Sequence, residues 1–241
     1  MSDDDILEIE RAIFLDKDSP IKNIDVENKK TPITNELEGY IYGCSQGLSV
    51  ISAAIEKIKI SIETLENIRD SLPEGSPFNE SEYIEYSIEN YFIRSAGLYD
   101  RCLIFTGKLL NLGIANESID HGLMVNNEHV KDNNLSDPLK KIGKACREFK
   151  TDRNNIIHHG RYNDESFTAV STIHKVNQLL ASEGMELAFT QDVIDQITDK
   201  AIEEKTVDFN EHLEKIENKV SDFYEVALPV YYEMKKKLGQ L

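Results

Sequence analysis

The spacing of apolar residues constrains this chain more than anything else in it. Leu37, Ile41, Cys44, Leu48, Ile51, Ile55, Ile58, Ile62 and Leu65 recur at steps of three and four, the repeat of one face of a long helix. A second stripe of the same kind runs through Ile84, Ile88, Tyr91, Ser95, Leu98, Cys102, Phe105, Leu109 and Leu112. The first helix opens at Thr34-Asn35-Glu36 and stops near Ser71, ahead of Pro73-Glu74-Gly75-Ser76-Pro77. Asn79 and Glu82 form a capping box for the second, with Phe78 and Tyr83 as its hydrophobic staple, and Gly113 closes it. Two long helices joined by so short a loop must lie antiparallel, because neither can bury its apolar face otherwise.

The rest of the chain follows the helical repeat with few exceptions. Residues 114–135 are polar and read as a loop with at most a short helical turn. A third helix starts at Ser136-Asp137-Pro138 and carries Leu139, Ile142, Cys146, Phe149, Arg153 and Ile156 up to Gly160. A fourth follows a turn at Asn163-Asp164 and holds Phe167, Val170, Ile173 and Val176 through Leu180. Thr190-Gln191-Asp192 caps a stretch with Val193, Ile194 and Ile197, and a last helix runs from Leu213 to Leu238, with Pro229 expected to kink it. The expected fold is all-α, an antiparallel helical bundle with additional N- and C-terminal helical segments. The expected division is an arm or short helix and loop over 1–34, a bundle over 35–185, and C-terminal helices over 186–241 packing on it.

Charge narrows the function classes. The chain carries 44 acidic and 27 basic side chains, a net charge of −17, which argues against a uniformly basic nucleic-acid-binding surface. No apolar run approaches the roughly 18 residues of a membrane span. The Met1-Ser2-Asp3-Asp4-Asp5 opening is the opposite of a basic signal segment, so the expectation is a cytoplasmic protein with no membrane partner. Cys44, Cys102 and Cys146 are isolated in apolar stripes and read as small core residues. His121, His129, His174 and His212 are dispersed without the spacing of a metal site, and no Gly-rich phosphate loop or GxSxG elbow occurs. Neither a metal nor a cofactor is called for.

Arg153 is the exception in the stripes, since it falls where an apolar residue is expected. A charge there must pair, face a cleft or meet another chain. Asn154 and His158 lie one helical turn apart on an adjoining flank, while His159 points to the other side. Between Pro138 and Tyr162 stand seven basic and two acidic side chains, a net of +5, against 20 basic and 42 acidic, a net of −22, in the rest of the chain. A local basic element can still bind an anion, because charges within a Debye length of about 8–10 Å set the potential there.

Arg153-Asn154-x-x-x-His158, late on a helix of an all-helical chain and followed by Gly160, resembles the signature of the HEPN superfamily: an arginine, a polar residue, three variable residues and a histidine. The resemblance implies a HEPN-type helical bundle. It further implies a metal-independent endoribonuclease in which the motifs of two protomers meet in a homodimer. Arg153, His158 and Asn154 would then be catalytic, and Lys150, Arg147, Arg161 and His159 would hold RNA phosphates. A toxin, phage-defence or stress setting, with an antitoxin or nucleotidyltransferase partner, is implied in the same way.

The residue types suit that chemistry. RNA cleavage by its own 2′-OH needs a base, an acid and a cation to hold the developing charge. Histidine, with an ordinary pKa of about 6.5, serves either proton role, and arginine offers a planar fork that fits phosphate. The competing reading pairs Arg153 with Glu89 or Asp100 and leaves His158 packed at a helix end; the domain would then be a non-catalytic, HEPN-like nucleotide- or protein-binding module. Arg94 and Arg101 read as a solvated or ion-paired face. Tyr40, Tyr42, Tyr83, Tyr86, Tyr91 and Tyr99 read as core or interface in preference to base-stacking platforms.

Overall fold

The computed structural model describes residues 7–240 except 26, 29, 73–74, 160–161 and 163, and omits the side chains of Ser71, His159, Glu165 and Ser166. Its elements are α1 (Glu8–Phe14), α2 (Glu36–Glu66), α3 (Ile68–Ser71), α4 (Glu80–Leu109), α5 (His121–Asn126), α6 (Glu128–Asp132), α7 (Ser136–Cys146), α8 (Lys150–His159), α9 (Glu165–Ser182) and α10 (Gln191–Leu238). Short 3₁₀ turns sit at Pro20–Asn23 and Asn116–Ser118. There is no strand among the described residues, only an isolated bridge between Asp25 and Lys30. The all-α expectation holds.

Local chemistry starts and stops these helices. Asn35 accepts the Glu38 amide at 2.9 Å, and Glu38 reaches back to the Thr34 amide at 2.7 Å, opening α2. At α4, Asn79 N–H donates to Glu82 at 2.8 Å, and the Phe78 and Tyr83 rings meet edge-on at 6.3 Å, so the capping box and staple are both present. The end of α4 differs from expectation. Asn111 (φ 48°) makes the cap, with Leu112 N–H bonded to Gly107 O and Asn111 N–H to Lys108 O, a Schellman cap two residues before Gly113, which is itself left-handed (φ 67°).

Residues 114–135 are more helical than expected. Asp120 caps α5 by accepting the Leu123 amide, and Asn127 caps α6 by accepting those of His129 and Val130. Asn134 (φ 57°) closes α6. The asparagines that suggested a loop are caps of short helices held by buried Met124, Val125, Val130 and Leu135. The two C-terminal stretches are one helix, α10, which runs through exposed Pro229; Thr198, Ala201, Ile202, Thr206, Phe209 and His212 continue its buried face across the gap.

The chain divides into two compact units, and α2, α4 and α10 each contribute a segment to both. The first comprises Met1–Ala54, Gly97–Cys146 and Ile216–Leu241. In it Tyr40 Oη donates to Leu109 O at 3.0 Å, which sets the start of α2 beside the end of α4 in the expected antiparallel sense. Tyr231 of α10 stacks on Tyr40, and α7 presents Gly143 to the Tyr99 ring, where a Cβ would stand 2.9 Å from Cζ. Asp16 accepts Tyr231 Oη at 2.7 Å and Lys235 Nζ at 2.6 Å, fastening the N-terminal segment to α10. Burial pushes the Asp16 carboxyl up, but these bonds and the Asp18 amide outweigh it and hold the carboxyl below its ordinary value. All three cysteines are buried, and burial pushes the Cys44 thiol up to about 12.

The second unit comprises Ile55–Ala96 and Arg147–Lys215. Its centre is aromatic: Tyr91 stacks on Phe209 at 3.7 Å, and Phe92 meets Phe149 at 5.2 Å. Buried His212 hydrogen-bonds Tyr91 Oη through Nδ1 at 2.7 Å. Arg69 of α3 ties Glu80 at the start of α4 to Asp195 and Asp199 of α10.

Candidate functional site

The helix expected over 136–160 is two helices. Arg147, Glu148 and Phe149 form a turn in which Lys150 N–H bonds to Arg147 O, and Phe149 O accepts the Arg153 amide to begin α8. Phe149 lies at the break because its ring packs on Phe92 and, at 4.7 Å, on His212. Arg153 therefore does not share a helix face with Leu139, Ile142 and Cys146. Its placement is set by α8 alone.

Within α8, Ile156 is buried, Arg153 and Asn154 are half-buried, and Lys150, Ile157 and His158 are exposed. Arg153 Nη1 donates to Asn154 Oδ1 at 3.1 Å. That contact leaves most of the five guanidinium donors unengaged among the described residues, where Arg153 makes no ion pair. Asn154 and His158 are separated by one turn and share a flank. Arg153 and His158, five residues apart, stand roughly 140° apart around the helix.

The alternative partners of Arg153 are otherwise placed. Glu89 Oε1 accepts the Tyr162 amide at 3.0 Å, and Asp100 is exposed. Arg94 donates to Asn90, and Arg101 donates to Gly97 O. Of the residues expected to hold phosphate, Arg147 in the turn before α8 and Lys150 at its start are exposed, Arg161 lies outside the described residues, and so does the His159 side chain. Glu148, one of the two acidic residues in the basic stretch, accepts Lys215 at 3.0 Å, which cancels part of its charge. Tyr40, Tyr91 and Tyr99 are buried, whereas Tyr86 is exposed.

The chain just beyond α8 is held by residues the sequence did not single out for this purpose. The Tyr162 ring is buried against Phe92 at 5.3 Å and Phe167 at 6.2 Å. Its hydroxyl donates to Asp164 Oδ2 at 2.9 Å, and Lys205 sits 3.5 Å from the same carboxylate and 5.4 Å from the ring centre. Asp164 was legible as a turn residue; Glu89 and Lys205 were not, because their contacts span tens of residues.

A groove of about 590 Å³ lies elsewhere in the second unit, lined by Glu66, Arg69, Asp70, Asp199, Glu203 and Thr206 among others. Its carboxylates make it a poor seat for a polyanion. Among the described residues, no group of three or more His, Cys, Asp or Glu side chains could hold a metal ion, and no helix is long and apolar enough to cross a membrane.

The family model described as HEPN_Cthe2314-like HEPN matches residues 35–228. The chain belongs to this HEPN family. The match spans α2 to most of α10 and therefore contains the whole of α8. No curated protein and no solved structure matches this HEPN chain. Asp16, Tyr231 and Lys235, which clamp the N-terminal segment to α10, fall outside the matched HEPN residues.

Proposed function

We propose that the protein is a metal-independent endoribonuclease of HEPN type, acting as a homodimer whose two α8 helices form one composite site. The observation that carries the reading is Arg153 held by Asn154, with most of its donors unengaged among the described residues, on the same short helix as an exposed His158. A guanidinium in that state can take two phosphate oxygens at once. One imidazole can accept the 2′-OH proton as the oxygen attacks phosphorus. His158 of the partner subunit then donates a proton to the departing 5′-oxygen, leaving a 2′,3′-cyclic phosphate and a 5′-OH. One chain offers one histidine at the motif position, so a two-fold pair supplies acid and base together. Lys150 and Arg147 would steer the RNA backbone, with Arg161 and His159 assigned the same role from the sequence alone. A toxin or phage-defence setting, with an antitoxin or nucleotidyltransferase partner, belongs to the same proposal.

The test is incubation of single-stranded RNA in EDTA with the wild-type protein, Arg153→Ala and His158→Ala, with analysis of product ends. Cyclic-phosphate ends that vanish in both variants are expected. Cleavage untouched by either substitution overturns the assignment, and no cleavage by the wild type favours a non-catalytic binding domain.

A further inference from the structure

Glu89 is unusual for a residue that was an expected partner of Arg153. Its carboxylate is half-buried on α4 and, among the described residues, accepts one backbone amide, that of Tyr162 at 3.0 Å, 73 residues away. Burial pushes its pKa up, the Tyr162 amide offsets part of that, and the neighbouring charge of Glu85 adds to the rise. Tyr162 is the third residue past the end of α8 and the fourth past His158. Four residues of chain reach at most about 14 Å, so whatever fixes Tyr162 restricts where the end of α8 can sit.

Tyr162 is fixed at three points. Its amide is held by Glu89, its hydroxyl by Asp164 beside Lys205, and its ring by Phe92 and Phe167. The hydroxyl and ring contacts orient the side chain; the Glu89 bond ties the backbone itself to α4. At the opposite end of α8, Phe149 is held by Phe92, so both ends of the motif helix are referred to one stretch of α4.

We infer that Glu89 is a positioning residue that sets the location of His158 by tethering the Tyr162 backbone to α4, an inference that rests on reading Arg153 and His158 as the site. The carboxylate does not touch substrate in this scheme. It fixes the Tyr162 backbone on α4, so that the imidazole is presented at a fixed place relative to Arg153.

The experiment is NMR on the full chain, following the Tyr162 amide and the His158 imidazole in the wild type, Glu89→Ala, Glu89→Asp and Glu89→Gln, with RNA cleavage measured alongside. In Glu89→Ala the Tyr162 amide exchanges roughly tenfold faster or more and the His158 ring resonances move; kcat falls with KM little changed. Glu89→Asp, which keeps the charge but draws the acceptor back, moves His158 in the same sense even where the alanine variant folds poorly. Glu89→Gln, which keeps an acceptor of the same length, restores the wild-type His158 signals. Unchanged His158 resonances in a variant whose Tyr162 amide has lost protection overturn the inference, as does a Glu89→Gln protein as displaced as Glu89→Ala. A wild-type protein that cleaves no RNA would sink the ribonuclease reading while leaving the imidazole readout intact.

Discussion

Helices α7 and α8 are separated by three residues and are built on opposite rules. In α7, Leu139, Ile142, Gly143 and Cys146 are all buried, and the lysines at 140, 141 and 144 are exposed, as in a helix whose task is packing. In α8 the one residue from Arg153 to His158 that is buried is Ile156, and the half-buried positions are given to Arg153, Asn154 and Asn155. A helix that buries so little cannot hold itself in place by its own apolar face. Its fixation comes from the residues at its ends, Phe149 before it and Tyr162 after it. The difference teaches that a helix with little apolar face of its own is held by its flanks; on the proposed function, stability and chemistry are then divided between adjacent helices.

That division can be broken by mutation. The largest effect expected is on activity: Arg153→Ala and His158→Ala should each lower RNA cleavage by about 10²-fold or more, with stability within about 0.5 kcal/mol of wild type by denaturant unfolding. A loss of several kcal/mol would mean that α8 packs like α7. Next comes Ile142→Ala on α7, expected to cost about 2–5 kcal/mol; a cost near zero would erase the contrast from the other side. Gly143→Ala sets a methyl against the Tyr99 ring at 2.9–3.2 Å, and should cost about 1–3 kcal/mol through overpacking.

The two units also hold carboxylates of opposite sign in their pH response. Asp16 is held below its ordinary value in spite of burial, chiefly by Lys235 and Tyr231. Its contribution is present above the ordinary aspartate value and disappears as pH falls through the lowered one. Glu89 is raised by burial first, so its contribution is complete below the ordinary glutamate value and is lost as pH rises through the raised one. Unfolding measured against pH should therefore show Asp16→Asn losing its deficit relative to wild type in acid. Glu89→Gln, the smallest effect, should be as stable as wild type or a few tenths of a kcal/mol more so at neutral pH, with that gap closing in acid. A Glu89→Gln variant clearly less stable than wild type at neutral pH would show that the ionised carboxylate itself supports the fold.

Much of the fold was legible because it is local. The stripes of α2 and α4 and the Asn79–Glu82 box involve residues three and four apart, and such spacings specify helix faces directly. The Arg153-Asn154-x-x-x-His158 motif was legible for the same reason, as was the HEPN resemblance that the family match bears out. The misreadings were of two kinds. Asparagines at 126–134 looked like loop and act as caps of helices too short to show a repeat. Phe149 kept the three-four count across a turn, so periodicity joined α7 to α8 where the backbone separates them.

By itself the sequence determined that this chain folds as antiparallel helices and that one short basic segment carries an arginine and a histidine at a chemically meaningful spacing. Only the tertiary structure decided what those residues meet. Glu89 turns to the Tyr162 amide instead of Arg153, Asn154 takes the guanidinium, and Asp16 crosses 219 residues to reach Lys235. Helical faces follow from bonds between neighbours along the chain, whereas a pairing over 73 or 219 residues exists only once packing has met the entropy of closing so long a loop.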